Sequence, residues 1–272
     1  MRRIIENIVM PSEFVVSKNF RNMMSRSYAF NNYAFESDKR WLVLEELYNK
    51  NYLDLPFPEG QKMPKKIHQI WLGGTIPDKY KKYADTWEEF NPLWEYKLWG
   101  DKDVKDMDLP NRELFDSLTN YGPKSDIIRY CLMNEYGGLY VDTDFECLMP
   151  FDDFFYLDFF TSIAYNSAIE IYPGLIGSIP HHPITEEIMK AIEDIKFISN
   201  NPSAVLEHIS SYFFTRIVMK MIPEYKEGIV IFPPDYFYPF PNQAGHYTRN
   251  GKDYAKDCSY AIHHWAVSWL SK

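Results

Sequence analysis

Tyr136-Gly137-Gly138-Leu139-Tyr140-Val141-Asp142-Thr143-Asp144 is the stretch whose reading decides the fold. A short apolar run, Leu139 to Val141, is entered through two glycines and ends on two carboxylates spaced i, i+2. In an extended chain that spacing puts both side chains on the same side of the backbone. Two hard-oxygen ligands at the end of a buried strand make half of a site for a divalent cation. Mg²⁺ and Mn²⁺ suit such sites, since one or two carboxylates hold them while substrate phosphates complete the shell. Asp-x-Asp alone equally describes a solvated turn, so the weight falls on the flanking chain.

Upstream, Tyr121-Gly122-Pro123-Lys124-Ser125 reads as a loop into a helix from Asp126 to Tyr136, with Ser125 as its N-cap. Ile128, Cys131 and Leu132 form the buried stripe of that helix. Asp126 and Arg129, three apart, project from one face. They are either a surface ion pair of little energetic weight, or a carboxylate for a hydroxyl-rich ligand beside a guanidinium for its phosphate. Gly137-Gly138 ends the helix and opens the strand.

Further upstream, Ile67-His68-Gln69-Ile70-Trp71-Leu72 runs into Gly73-Gly74, the pattern of a buried strand leading to a loop. In open α/β sheets ligands sit beyond the carboxyl ends of strands. Trp71 is therefore placed to stack on a nucleobase, with ordinary core packing as the alternative; His68 reads as structural. Pro77 starts a helix carrying Tyr80, Tyr83, Ala84 and Trp87, which Asn91-Pro92 stops. Trp94 to Trp99 is a second strand before Gly100, and the acidic run Asp101 to Asp108 reads as a solvated loop with a helix start. The order strand, helix, strand, helix, strand predicts an α/β sheet with right-handed crossovers.

Composition bounds the function. Net charge is −9, which argues against a nucleic-acid partner, because phosphate backbones attract basic surfaces. With 272 residues, 46% hydrophobic, the chain can bury one large domain, or one domain with an appendage. Cys131, Cys147 and Cys258 are odd in number and lack metal-type spacing, which points to a reducing compartment. No segment approaches the roughly 20 apolar residues needed to span a bilayer, and Glu6-Asn7 interrupts any signal-like start.

Residues 1–60 are expected to form a helical appendage and 61–272 the main domain. Between Arg2 and Arg26 five residues are basic and two acidic, so peripheral membrane or partner contact is an alternative to plain packing there. Ser37-Asp38 caps a helix whose stripe is Trp41, Leu44, Leu47 and Tyr48. Leu55-Pro56-Phe57-Pro58-Glu59-Gly60 reads as a linker.

Downstream of the carboxylates, Phe159 to Tyr165 is expected as a strand, with Asn166 at its end a polar contact for a sugar. Tyr172 to Ser178 reads as a glycine-punctuated turn and strand. Helices are expected from Pro183 to Asn200 and from Ser203 to Met221, then a strand from Gly228 to Phe232. Adjacent His181 and His182 point apart on an extended chain and read as loop. Glu146, Asp152 and Asp153 read as a solvated acidic loop, with approach of one of them to an acceptor as the alternative, and Pro233 to Asn242 as a rigid aromatic loop, serving an acceptor or simple packing.

Four ordered blocks carry a resemblance: Lys66-Ile67-His68-Gln69-Ile70-Trp71; Asn91-Pro92 with Glu95-Tyr96-Lys97-Leu98-Trp99; Ser125-Asp126-Ile127-Ile128-Arg129-Tyr130; and Gly137 to Asp144. The chain resembles the Asp-x-Asp sugar-binding glycosyltransferases of family 32, the yeast initiating mannosyltransferase type. It is more distantly similar to the glucosyltransferase domains of large clostridial toxins. The resemblance covers residues 64–150 densely, with a further block at Tyr260 to Trp269. It implies a GT-A type nucleotide-sugar-binding fold, a UDP- or GDP-hexose donor, a divalent metal and retention of anomeric configuration by front-face displacement. It further implies that Trp71 stacks on the base, Asp126 holds sugar hydroxyls and Arg129 contacts the sugar–phosphate region. Asp142 would meet ribose and metal, and Asp144 the metal.

The terminal block resembles the family's Ala-x-His-x-Trp element, which aligns His263 with a third metal ligand and puts Ser268 and Trp269 near the donor phosphates. Adjacent histidines in a strand face opposite ways, so only one binds: His263 first, His264 if the end is bulged or helical. An imidazole ligand favours Mn²⁺ over Mg²⁺. The sequence thus predicts a metal-dependent, retaining hexosyltransferase acting on a glycan or other hydroxyl acceptor. A nucleotide-sugar hydrolase or an inactive sugar-nucleotide binder are the rival readings. Lack of a Golgi-type anchor in the first 60 residues predicts a cytoplasmic setting, bacterial or viral in a host cell.

Overall fold

A computed structural model describes residues 18–27, 38–55, 60–164, 169–199, 201–242 and 250–266. Its eight strands are β1 (Lys66–Ile70), β2 (Glu95–Trp99), β3 (Gly138–Val141), β4 (Phe145–Cys147), β5 (Phe159–Ile163), β6 (Ile171–Ser178), β7 (Ile229–Phe232) and β8 (Ala261–His263). Six of them form one sheet in the order β2-β1-β3-β6-β5-β7, while β4 and β8 pair separately. β1 runs parallel to both β2 and β3, β6 is antiparallel to β3 and β5, and β5 is parallel to β7. The sheet is therefore mixed, with its parallel half holding the carboxyl ends of β1, β2 and β3 side by side.

Burial on both faces explains the near-continuous apolar reading of β3, β5 and β7, whereas β2 at the sheet's edge buries only Trp99. The polar exceptions in β1 are satisfied. His68 Nε2 donates to the Gly137 carbonyl at 3.0 Å, and Trp99 Nε1 donates to His68 Nδ1 at 3.1 Å. Burial pushes the His68 imidazole down to about 4, so it is neutral and structural. Gln69 accepts from the Tyr96 hydroxyl at 2.7 Å and donates to the Asp142 carbonyl at 3.2 Å, tying three strands together. Gly138 is required where β3 meets β1: its φ is +88°, and a Cβ there would lie 2.5 Å from the Lys66 carbonyl oxygen.

The helices are α1 (Phe20–Arg26), α2 (Lys39–Tyr48), α3 (Asp78–Phe90), α4 (Asp101–Lys105), α5 (Arg112–Ser117), α6 (Tyr121–Glu135), α7 (Pro183–Glu193), α8 (Pro202–His208) and α9 (Ser211–Met221). α6 begins four residues before the expected Ser125 cap. Asn120 accepts from the Gly122 N–H at 2.9 Å, and Pro123 in the first turn needs no partner. Asp126 and Arg129 consequently lie well inside the helix, 5% and 6% exposed, and are not a surface pair.

Other boundaries differ as well. α7 stops at Glu193, and the expected helix from Ser203 to Met221 is two helices broken at Ile209-Ser210. Residues 171–178 form strand throughout, without the expected turn. The expected position of Asn166, the Pro56–Glu59 part of the linker, and Ser268 and Trp269 lie outside the described residues.

The helical N-terminal part packs into the same core as the sheet. Asp38 caps α2 through the Arg40 N–H at 3.0 Å, and Trp41, Leu44, Leu47 and Tyr48 are buried as the helical stripe requires. A π-helical turn, Asn49–Leu53, follows. From it Asn51 Nδ2 donates to the carbonyls of Lys226 at 2.6 Å and Ile229 at 2.8 Å, while the Tyr48 and Tyr236 hydroxyls meet at 2.9 Å. Among the described residues no helix is long and apolar enough to cross a membrane.

Candidate active site

Asp142 leaves the carboxyl end of β3, and Asp144 lies in the tight turn before β4, closed by the Phe145 N–H on the Asp142 carbonyl at 3.1 Å. The two carboxylates thus share a turn; they are not neighbours along one extended strand. β8 completes the arrangement. Its antiparallel register sets His263 opposite Phe145, and the His264 N–H bonds the Asp144 carbonyl at 3.0 Å. A segment more than a hundred residues away is thereby fixed against the turn. One ligand atom each from Asp142, Asp144 and His263 lies within 4.8 Å of the others, a spacing one cation can bridge.

Each carboxylate is oriented by the chain. Asp144 Oδ1 accepts from His263 Nε2 at 3.0 Å, and its Oδ2 accepts from the Ala266 N–H at 2.8 Å. Burial acts to raise the Asp144 carboxyl, but His263 and that amide outweigh it and hold it below the usual carboxylate range. Asp142 Oδ1 accepts from the Tyr140 hydroxyl at 2.7 Å and faces Arg129 Nη2 at 3.2 Å. Its carboxyl is raised, by burial first and by the Asp144 charge in addition, against the pull of Arg129. Gly174 makes this possible: a Cβ there would sit 2.8 Å from Asp142 Oδ2 and 3.1 Å from the Tyr238 hydroxyl oxygen.

Behind this pair, Arg129 binds Asp126 Oδ1 at 2.8 Å, donates to the Pro173 carbonyl at 2.8 Å and lies over the Tyr140 ring at 4.8 Å. Burial pushes the Asp126 carboxyl up to about 6, partly offset by Arg129. A dry ion pair is a poor source of stability, since desolvation of both charges cancels much of their attraction. Its position against Asp142 gives it a different use, as a fixed field at the mouth of the sheet.

The donor set fits a divalent cation. Two carboxylate oxygens and one imidazole suit a borderline ion of the Mn²⁺ type. The two acids crowd one another, which a cation relieves, and His263 Nδ1 and Arg129 Nε are buried without a protein partner among the described residues.

The remaining expected residues divide. Trp71 stands at the carboxyl end of β1, half-buried, its N–H bonded to the Trp99 carbonyl at 2.9 Å and its ring 5.2 Å from that of Tyr80. His264 is directed elsewhere: Nε2 donates to Glu146 at 3.1 Å and the ring stacks on Tyr83 at 4.4 Å. Glu146, expected as solvated, is 8% exposed and also paired with Lys252 at 2.6 Å. Tyr140, Pro173, Gly174 and Tyr238 were not singled out as carboxylate neighbours from the sequence. Tyr140 carried a usable signal, standing two residues before Asp142; Tyr238 lies in the aromatic loop read as serving an acceptor or packing, and nothing local tied it, Pro173 or Gly174 to Asp142.

Residues 77–160 match the description "Glycosyltransferase sugar-binding region containing DXD motif". The segment contains Asp126, Arg129, Asp142 and Asp144. Among curated proteins the chain is similar to an uncharacterized glycosyltransferase of Acanthamoeba polyphaga mimivirus, 29% identical over 61% of this chain and 67% of that one. It is also similar to inositol phosphoceramide mannosyltransferase 2 of Schizosaccharomyces pombe, 29% identical over 48% of this chain and 39% of the relative. A third relative is the initiation-specific alpha-1,6-mannosyltransferase of Candida albicans, 30% identical over 44% and 34%. The match thus spans little more than a third of the length of either fungal relative. Among solved structures the PaToxG glycosyltransferase superposes with a TM-score of 0.53 at 18% identity, over 68% of this chain and 79% of that one, which shows a shared GT-A type fold.

Proposed function

We propose that this DXD-family chain is a metal-dependent, retaining hexosyltransferase using a UDP- or GDP-hexose donor and a glycan or other hydroxyl acceptor. One observation carries the reading: Asp142, Asp144 and His263 converge within 4.8 Å at the carboxyl end of a parallel strand pair, backed by the buried Arg129–Asp126 pair. Asp142, Asp144 and His263 would hold a divalent cation, Mn²⁺ in preference to Mg²⁺, whose charge would offset that of a departing nucleotide diphosphate.

The chain's own groups do the rest. Tyr140 and Arg129 hold Asp142 Oδ1 and keep the carboxylate aimed. Ala266 and His263 fix Asp144. Arg129 adds positive potential where the leaving group gathers charge, in a water-poor site where such a field is strong. Asp126, ionised at neutral pH, accepts from sugar hydroxyls, and Trp71 stacks on the base. Ser268 and Trp269 are assigned to the donor phosphates by the family resemblance. We assign catalysis to residues 61–272, with residues 1–60 as an appendage.

Support for a polyol acceptor comes from the name of the fission-yeast relative, an inositol phosphoceramide mannosyltransferase. Three free cysteines support a reducing, cytoplasmic setting.

The test is donor turnover with Mn²⁺ and UDP- or GDP-hexoses, with and without sugar and polyol acceptors. Transfer that rises with acceptor supports the reading. Free sugar released at one rate whatever acceptor is added identifies a hydrolase, and absence of any turnover identifies a binding protein.

A further inference from the structure

We propose that Trp265 is the positioning residue of the cation site, its left-handed backbone delivering the Ala266 N–H to Asp144 and its ring fixing the orientation of His263. The proposal rests on the metal reading of the Asp142–Asp144–His263 cluster. Trp265 has φ +51°, a region where a bulky side chain is an outlier and glycine the default residue. Such strain persists only where the surroundings over-determine it. Here they do. The residue is 3% exposed, and its Nε1–H donates to the Phe240 carbonyl at 2.7 Å. The Tyr172 ring lies 5.4 Å from the indole and that of Tyr238 5.7 Å.

Two N–H groups flank Trp265, and both end on Asp144: that of His264 on its carbonyl at 3.0 Å, that of Ala266 on its carboxylate Oδ2 at 2.8 Å. In an extended strand, N–H groups two residues apart are separated by about 7 Å. A β8 continued straight through Trp265 would therefore carry the Ala266 amide past the carboxylate; the left-handed residue folds the chain back onto it. His263 supplies an independent observation. A metal-binding histidine ordinarily donates its other ring N–H to a carboxylate or carbonyl, which sets the orientation of the ring. His263 Nδ1 is buried with no partner among the described residues. Aromatic rings take over that task. Trp265 meets the imidazole edge to face at 4.2 Å and 71°, while Phe145 lies at 4.6 Å and Tyr238 at 5.5 Å. Trp265 is the nearest of the three, so one side chain orders two of the three ligands.

The test is calorimetric titration of Mn²⁺, with and without UDP or GDP, into the full chain as wild type, Trp265→Ala and Trp265→Gly, each held below its own melting transition. Alanine removes the ring and opposes the left-handed turn; glycine removes the ring and permits the turn. The expected order of affinity is wild type, then the Gly variant, then the Ala variant, the last at least about tenfold weaker than wild type. Trp265→Phe, which fills most of the same space, covers the case in which the smaller variants do not fold. It loses the N–H on Phe240 and is expected to bind Mn²⁺ about threefold more weakly. A residue that merely fills the core would lower the melting temperature of these variants and leave the Mn²⁺ affinity of the folded protein unchanged; that result overturns the proposal. A Gly variant no tighter than the Ala variant overturns it as well. A wild type that takes up no Mn²⁺ overturns the metal reading and this proposal together, whereas undiminished binding in the folded variants overturns this proposal alone.

Discussion

Asp144 is held from two sides, by an imidazole and by an amide, and Asp142 by a phenol and a guanidinium, so the geometry of the site is a matter of single atoms. His263 and His264 separate these roles most sharply. Replacing His263 by Ala should weaken Mn²⁺ strongly and replacing His264 only slightly, since His264 is spent on Glu146 and Tyr83; metal-dependence curves for the two variants check it, and the reverse order moves the ligand by one residue. Trp71→Ala should weaken nucleotide binding by about 1–3 kcal/mol, the usual worth of base–aromatic stacking. Melting and titration of the same sample distinguish that from a packing role, for which the folded variant binds nucleotide normally. At this scale the sequence was readable where a local period carried the signal. Asp126 and Arg129 fall three apart on a helix; Asp142 and Asp144 were legible as a pair after a strand, but a turn and not the strand period brings them together. Gly174 and Tyr238 reach the same carboxylate from β6 and from the loop after β7, a proximity that only tertiary structure creates.

Elements were legible in type and less so in extent. β1, β3, β5 and β7 follow from apolar runs bounded by glycine, proline or polar residues, and β2 from the aromatic-rich stretch that ends at Gly100. The start of α6 did not, because Tyr121-Gly122-Pro123 reads as loop by composition, yet Asn120 caps it and the first turn tolerates proline. The break between α8 and α9 has no breaker residue; Ser210 leaves the helix and hydrogen-bonds Asp126. The docking of the N-terminal helices rests on Asn51. Asn51→Ala strips two buried carbonyls of their donor and should cost about 1–3 kcal/mol, readable by urea unfolding; an unchanged midpoint would show that α2 is held by packing alone.

Two elements also set a pH response. Burial lowers His68 in β1 and His182, the cap of α7, from 6.5 to about 4 each. The unfolded chain therefore binds more protons between those values, and stability is lost as pH falls from 6.5 toward 4, by at most about 3 kcal/mol per histidine. Asp126, raised from 3.8 to about 6, acts with the opposite sign over nearly the same window, because the folded state takes up its proton first. Asp142, raised too, acts with Asp126, so the histidines' contribution to the fall in melting temperature on acidification is read from histidine variants. His182→Asn, which keeps a capping side chain, should flatten that slope, and an unchanged slope would remove His182 from the account.

At the scale of the whole molecule, a mixed sheet brings three carboxyl strand ends to one edge, and an antiparallel β4–β8 pair returns the C-terminal segment to them. The sheet's parallel half was legible in the sequence, since strands and helices alternate there. The β4–β8 return was legible only through the family resemblance, because neither three-residue strand carries a periodic signal of its own. The chain's net charge of −9 and the crowding of Asp142 against Asp144 give the centre its demand for a cation. The most direct measurement is calorimetric titration of Mn²⁺ into the nucleotide-saturated protein, wild type against Asp144→Asn, with melting curves for both. The account predicts saturable binding to the wild type, at least about tenfold weaker in the variant, with melting temperature little changed. Equal Mn²⁺ affinity in a folded Asp144→Asn protein would contradict it.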